Sequence, residues 1–292
     1  MAGLALLAGV LVAVTIGNPY AATTRRLTSK FLQAAVVGLG AGMDLRVVAH
    51  VGVAGIGYTA VSIIACLALG VALRRMLRVP ANTGLLVAVG TAICGGSAIA
   101  AVAPVLRAEP DEVSVSLATV FMLNAAALFL FPPLGHLFGL DEGQFGLWCA
   151  LAIHDTSSVV GAAMSYGPHA LEVATTVKLA RALWIIPVTL AVSLWVARRD
   201  GAKGTAKPAP PWFIVGFLMA AALVTYVPTL AATGKIVSAG ARWLMVITLF
   251  LIGSGLTPQA LRNVGPRPLV QGVALWIIVG TVSLAAIWAR LI

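Results

Sequence analysis

Apolar residues run in long blocks separated by short polar stretches, at 2–17, 28–43, 51–73, 83–104, 113–131, 145–164, 172–197, 212–229, 240–256 and 268–290. A helix needs about 20 apolar residues to cross the hydrocarbon core of a bilayer. Several blocks reach that length, while 2–17 and 240–256 are short. The pattern predicts an all-α polytopic membrane protein of about ten segments. It reads as one transmembrane domain over residues 1–292, with halves near 1–131 and 145–292. Residues 1–17 have no basic leader and no clear cleavage box, so they read as the first membrane helix rather than a removable signal.

Two blocks are interrupted. Gly90-Thr91-Ala92-Ile93-Cys94-Gly95-Gly96-Ser97-Ala98 places adjacent glycines inside 83–104. Glycine weakens a helix by roughly 1 kcal/mol against alanine, so this stretch permits an unwound turn. Ala152-Ile153-His154-Asp155-Thr156-Ser157-Ser158 sets His, Asp and hydroxyls in the middle of 145–164. The two stretches match at an offset of sixty residues, and Glu112-Val113 matches Glu172-Val173 at the same offset. A second match pairs Gly40-Ala41-Gly42-Met43 with Gly253-Ser254-Gly255-Leu256, and Val51-Gly52 with Val264-Gly265. Counting crossings makes this second pair antiparallel, the arrangement of inverted-repeat transporters. The competing reading is ordinary small-residue packing between helices.

Composition strengthens the membrane reading. Hydrophobic residues make up 60% of the chain and charged residues 10%, against about 25% charged in soluble proteins. The formal charge of +10 comes from short basic clusters between apolar blocks, with no basic stripe carrying interleaved aromatics. That excludes nucleic acid as a partner and points to positive-inside loops. Arg25, Arg26 and Lys30, then Arg74, Arg75 and Arg78, then Arg198, Arg199, Lys203 and Lys207, then Arg262 and Arg267 follow segments one, three, seven and nine. These stretches are expected at the cytoplasmic side, with 198–211 a flexible linker. The linker 132–144 has no Lys or Arg and carries Asp141 and Glu142. It lands inside if every block crosses once. It lands outside if 83–104 and 145–164 are re-entrant, and both arrangements stay open. Tryptophans near block ends match an interfacial belt. Cys66, Cys94 and Cys149 lie inside blocks without metal-ligand spacing, so neither a metal nor a cofactor is expected.

The interruptions are where chemistry is expected. A glycine break exposes N–H groups at the start of the next half-helix, which suits an anion and nominates Cys94, Gly95, Gly96 and Ser97. Asp155 stands deep in an apolar segment at a cost of ~2.5–3.5 kcal/mol, so it needs a partner, a cavity or a proton. His154 beside it can titrate near neutral pH, and the pair reads as an ion-coupling site. Thr156 and Ser157 join the candidate substrate groups. Lys178 and Arg181 lie three apart on one helical face, ahead of Pro187. One of them could pair with Asp155, and the excess charge points to an anionic solute. The competing reading is snorkelling to the headgroups. Asn124 is a weaker candidate for substrate binding or helix linkage.

On these motifs the chain resembles the YeiH-type family of bacterial membrane proteins, often labelled sulfate exporters. The resemblance rests on Gly90 to Ala101, on Ile153-His154-Asp155 followed by Val159 to Ala163, and on Lys178-Leu179-Ala180-Arg181 leading to Pro187. It also takes in Gly17-Asn18 and Gly253 to Gly265, and so nearly the whole chain. The family has Glu after the His and Gln shortly beyond, where this chain has Asp155 and Ser158. Members of the family also usually start with a further apolar helix, which residues 1–292 do not include. The resemblance implies export of sulfate or a related anion across the bacterial inner membrane.

Together these features point to a secondary transporter of a small inorganic or organic anion, with H⁺ or Na⁺ coupling, in the lipid bilayer, as a monomer or a homo-oligomer. An anion channel or a membrane sensor is the alternative. An intramembrane hydrolase using His154, Asp155 and Ser157 fits less well, because neighbouring helical positions point apart. No Walker, HExxH or Gly-x-Ser-x-Gly motif appears, so no enzyme activity is expected.

Overall fold

The computed structural model describes residues 2–200, 212–255 and 265–291. Thirteen α-helices and one short 3-10 turn stand among these residues. They are α1 (Ala2–Thr15), α2 (Ala21–Gly40), α3 (Leu45–Met76), α4 (Ala81–Ala92), α5 (Gly96–Leu106), α6 (Pro110–Leu137) and α7 (Glu142–Ala152). Then follow α8 (Thr156–Tyr166), α9 (Pro168–Ala182), α10 (Ile185–Asp200), α11 (Trp212–Tyr226), α12 (Ala231–Ser254) and α13 (Pro266–Trp288). Five stretches are long and apolar enough to cross a membrane: Gly57–Met76, Asp111–Leu137, Pro168–Arg198, Pro228–Ser254 and Pro266–Trp288. The chain is a polytopic helical membrane protein.

Of the two arrangements open for the interrupted blocks, the structure has the re-entrant one. Blocks 83–104 and 145–164 are each two short helices, α4–α5 and α7–α8, and each pair folds back on itself. A straight helix over residues 142–166 would hold its ends roughly 35 Å apart. Instead the Tyr166 ring stacks on Phe145 with centroids 3.7 Å apart, and its hydroxyl donates to the Leu140 carbonyl at 2.6 Å. Glu142 then accepts from the His169 N–H at 2.7 Å, capping α9. In the first hairpin, Asn82 donates to Glu112 at 2.9 Å and the Ser116 hydroxyl to the Thr83 carbonyl at 3.2 Å. The chain therefore enters and leaves each hairpin at one level. Both blocks are re-entrant, and the two hairpins enter from opposite faces of the bundle.

Local chemistry sets the turns. Gly95 sits at φ 70°, ψ −126°, a conformation glycine adopts without the penalty of a Cβ. Asp155 is extended and caps α8 through its side chain. Glu109 and Glu112 form a capping box at α6, and Asp141 and Gln144 form one at α7.

One correction concerns the basic clusters. Arg25, Arg26 and Lys30 lie within α2 rather than in a linker, and Arg74 and Arg75 lie in the last turn of α3. Long cationic side chains cover apolar stem with a wet head, so helices extend through them. Lys203, Lys207, Arg262 and most of 198–211 lie outside the described residues.

Both repeats reappear as packing. Helices α4–α5–α6 and α7–α8–α9 follow the same order, and α5 and α8 are each 11 residues long. Gly40 lets α2 close on Phe217 of α11, and Gly253 lets α12 close on Leu6, Gly9 and Val10 of α1. Leu256 and Val264, which belong to the second match, lie outside the described residues. Helices α1, α2, α11 and α12 form one packed group, which meets the rest of the bundle through α8, α3 and α6, while α13 packs on α3, α4, α6 and α7.

Candidate functional site

The two hairpin tips meet. A Cβ built on Gly95 would stand 3.3 Å from Asp155 Cα and Cβ and 3.5 Å from the His154 carbonyl. Any side chain at position 95 would push the tips apart. Phe121 of α6 covers Gly96, and one helical turn further on Asn124 reaches the other tip. Its Oδ1 accepts from the His154 N–H at 3.0 Å and the Asp155 N–H at 3.2 Å. The weak candidate of the sequence thus holds the second hairpin in shape.

Lys178 and Arg181 are fully buried. Lys178 Nζ donates to the Ile153 carbonyl at 2.8 Å and to Ala150 at 3.4 Å. Arg181 Nε donates to the Ala92 carbonyl at 2.7 Å, and its Nη1 to Leu151 at 2.7 Å and Ala150 at 3.4 Å. These oxygens are the orphan acceptors of two helices that stop inside the bundle. A helix C-terminus carries roughly half a negative charge, so a cation is the matching partner. Of the two cations, Arg181 bonds to both hairpins. Snorkelling is excluded for both residues, which end on main-chain carbonyls in the interior. The expected ion pair with Asp155 is also absent: among the described residues no Lys or Arg nitrogen lies within 4.0 Å of its carboxylate.

Asp155 is engaged elsewhere. Its Oδ2 accepts from the Ser157 N–H at 3.0 Å, the Ser158 N–H at 3.4 Å and the Ser157 hydroxyl. The carboxylate therefore sits at the positive end of α8. Ser157 bonds to Asp155 and not to His154. Among the described residues, both ring nitrogens of His154 lack a partner, as do Asn124 Nδ2, Arg181 Nη2 and the hydroxyls of Thr91, Thr175 and Thr176. These three threonines were not singled out in the sequence, where a hydroxyl in an apolar helix is ordinarily satisfied by a carbonyl one turn back.

Of the remaining candidates, Cys94, Gly95 and Thr156 are buried at the junction and Gly96 is half-buried. Ser97 is not: it shares the exposed face of α5 with Ala100 and Pro104, so its hydroxyl points away. The first turn of α5 has no side-chain cap. The two tips therefore differ. One positive helix end holds a carboxylate from its own chain and the other holds none. No cluster of three or more His, Cys, Asp or Glu suited to a metal occurs among the described residues.

A separate cavity of about 320 Å³ opens where the end of α2 and the start of α9 meet α12. Leu39, Met43, Leu171, Glu172 and Arg242 line it. His169 Nδ1 lies 3.6 Å from Glu172 at its edge.

A family described as conserved hypothetical protein 698 has a model that matches residues 1–272. A UPF0324 membrane protein of Bdellovibrio bacteriovorus is 57% identical over 97% of this chain and 87% of its own length. One of Geobacter sulfurreducens is 47% identical over 97% and 89%, and one of Bacteroides thetaiotaomicron is 45% identical over 97% and 85%. No solved structure matches the chain.

Proposed function

The chain belongs to the UPF0324 family of membrane proteins, the YeiH-type family, and from that premise we propose that it is a secondary transporter that exports a small anion across the cell membrane. The observation that carries this reading is the junction of the two opposed re-entrant hairpins at Gly95 and Asp155, with Lys178 and Arg181 buried behind it. Irregular backbone at membrane depth is tolerated where it is buried in protein or lines a solute path. Broken helices that meet at a repeat interface are the usual setting of a transport site. The uncapped start of α5 offers N–H donors to an anion, and Arg181 Nη2 and Asn124 Nδ2 add donors without partners. His154, with two free ring nitrogens beside the junction, is the group that would carry a coupled proton. The cavity between α2, α9 and α12 would be a way in from one face.

Anion flux into proteoliposomes tests the reading. Lys178→Met and Arg181→Met are each expected to lower flux at least tenfold in protein that still elutes as a single folded species. Unchanged flux in both variants would remove the buried cations from the site and the anion reading with them.

A further inference from the structure

We infer that the solute carried at this junction bears a single negative charge, a small monovalent oxyanion rather than a dianion. The inference rests on the transport reading above and adds the charge class of the substrate. It follows from the fixed charges that meet at the hairpin tips. Lys178 and Arg181 contribute two positive charges and Asp155 one negative, all buried. The helix ends add nothing net: α4 and α7 bring two C-termini, α5 and α8 bring two N-termini, and each end carries roughly half a charge. The charged residues of the other helices packed on the core stand near their ends: Arg46, Arg74 and Arg75 on α3, Asp111 and Glu112 on α6, Arg267 on α13. On α12, Lys235 is exposed near the start and Arg242 lines the outer cavity. With His154 neutral, one positive charge is therefore left unmatched at the junction. A buried unmatched charge is costly, and one bound negative charge removes that cost.

The position of the missing charge can be read from the repeat. Asp155 places a carboxylate against the first-turn N–H groups of α8, at Ser157 and Ser158. Sixty residues earlier the equivalent position is Gly95, which brings no carboxylate to the first turn of α5. A second, independent observation concerns the same junction. Arg181 Nη2 and Asn124 Nδ2 are buried donors without partners, on side chains whose other atoms bond Ala92 beside the first tip and His154 and Asp155 of the second. The second hairpin therefore carries within its own sequence the group that the first would take from solution. Donors of this kind, amide and guanidinium N–H groups, suit an oxyanion with two or three acceptor oxygens. The fixed Asp155 charge close by raises the cost of a second negative charge on the solute.

Calorimetric titration of the purified full chain at matched ionic strength tests this, with nitrate and formate as monovalent probes and sulfate and oxalate as divalent ones. Nitrate and formate are expected to bind at least tenfold more tightly than sulfate and oxalate. Asp155→Asn leaves two positive charges unmatched, so the preference should move at least tenfold toward sulfate. Tighter binding of sulfate than of nitrate or formate to the wild-type chain would overturn the inference, whether or not Asp155→Asn folds. An unchanged preference in folded Asp155→Asn protein would overturn it as well. Those two results leave the transport reading standing. If no probe binds and none is carried in the flux assay, both fail.

Discussion

Arg181 makes hydrogen bonds to carbonyls of both hairpins, and its charge and its fork shape serve different ends. The charge answers two helix C-termini, and the planar fork reaches Ala92 and Leu151 together. Arg181→Lys keeps the charge but cannot span both. Losing hydrogen bonds from a charged group costs about 1.5–3 kcal/mol each, so this variant should melt at lower temperature in detergent and transport poorly. Gly95→Ala should also destabilise, by about 1–3 kcal/mol for the backbone conformation, with a further penalty from the 3.3 Å approach to Asp155. A thermal melt of each variant checks both expectations. If His154 carries the coupled proton, His154→Gln should flatten the pH dependence of flux while leaving the melting temperature close to wild type. At this scale the sequence was informative wherever polarity broke an apolar background, as at His154, Asp155, Lys178 and Arg181. It misled at Ser97 and on the expected ion pair. Which face of a two-turn helix looks inward depends on the bend before it. Whether a buried Asp pairs with a cation or with backbone N–H groups depends on where that bend points its side chain.

The hairpins are the informative elements. Their breaks were legible in Gly95-Gly96 and His154-Asp155, but the apolar blocks alone could not say whether the chain turned back there. Apolarity reports depth, and a chain that returns to its own side is as apolar as one that crosses. The contacts at the hairpin mouths decide it: Tyr166 on Phe145, and Asn82 on Glu112. The fold-back reverses α6 relative to an arrangement in which every block crosses. With the basic end of α3 inside, the start of α6 is also inside, and the end of α6 lies outside with Asp141 and Glu142. Asp111→Cys should therefore react with a membrane-impermeant thiol reagent only from the inside, and Leu137→Cys only from the outside. The native cysteines are buried and should stay silent. Reversed labelling of the two sites would mean that both blocks cross.

Across the whole molecule, pairs of helices related by the repeats pack in the same way: α1 on α12 as α11 on α2, and α6 on α8 as α10 on α5. This near-symmetry was visible in the sequence only as short glycine matches, because most paired positions are apolar and interchangeable. The tight contact of α1 with α12 depends on Gly9 and Gly253. A Cβ on Gly253 would lie 2.9 Å from the Val10 nitrogen, and one on Gly9 would lie 2.8 Å from the Ser254 nitrogen. Small residues at such a crossing let backbones approach where no hydrophobic effect drives helices together. Gly253→Leu should loosen this group and lower the melting temperature. Gly57→Leu, where a Cβ meets nothing within 4 Å, should not. On the transport reading proposed above, the symmetry gives a solute its path: one tip would be reached from one face, the other from the opposite face, and the site between them would serve each in turn. Counterflow measures that behaviour most directly. Proteoliposomes holding the wild-type chain are loaded with unlabelled formate, and uptake of labelled formate is followed. Saturable uptake that internal formate accelerates is the result expected of a carrier whose site is exposed alternately. Uptake that stays linear with concentration and ignores the internal anion would contradict it.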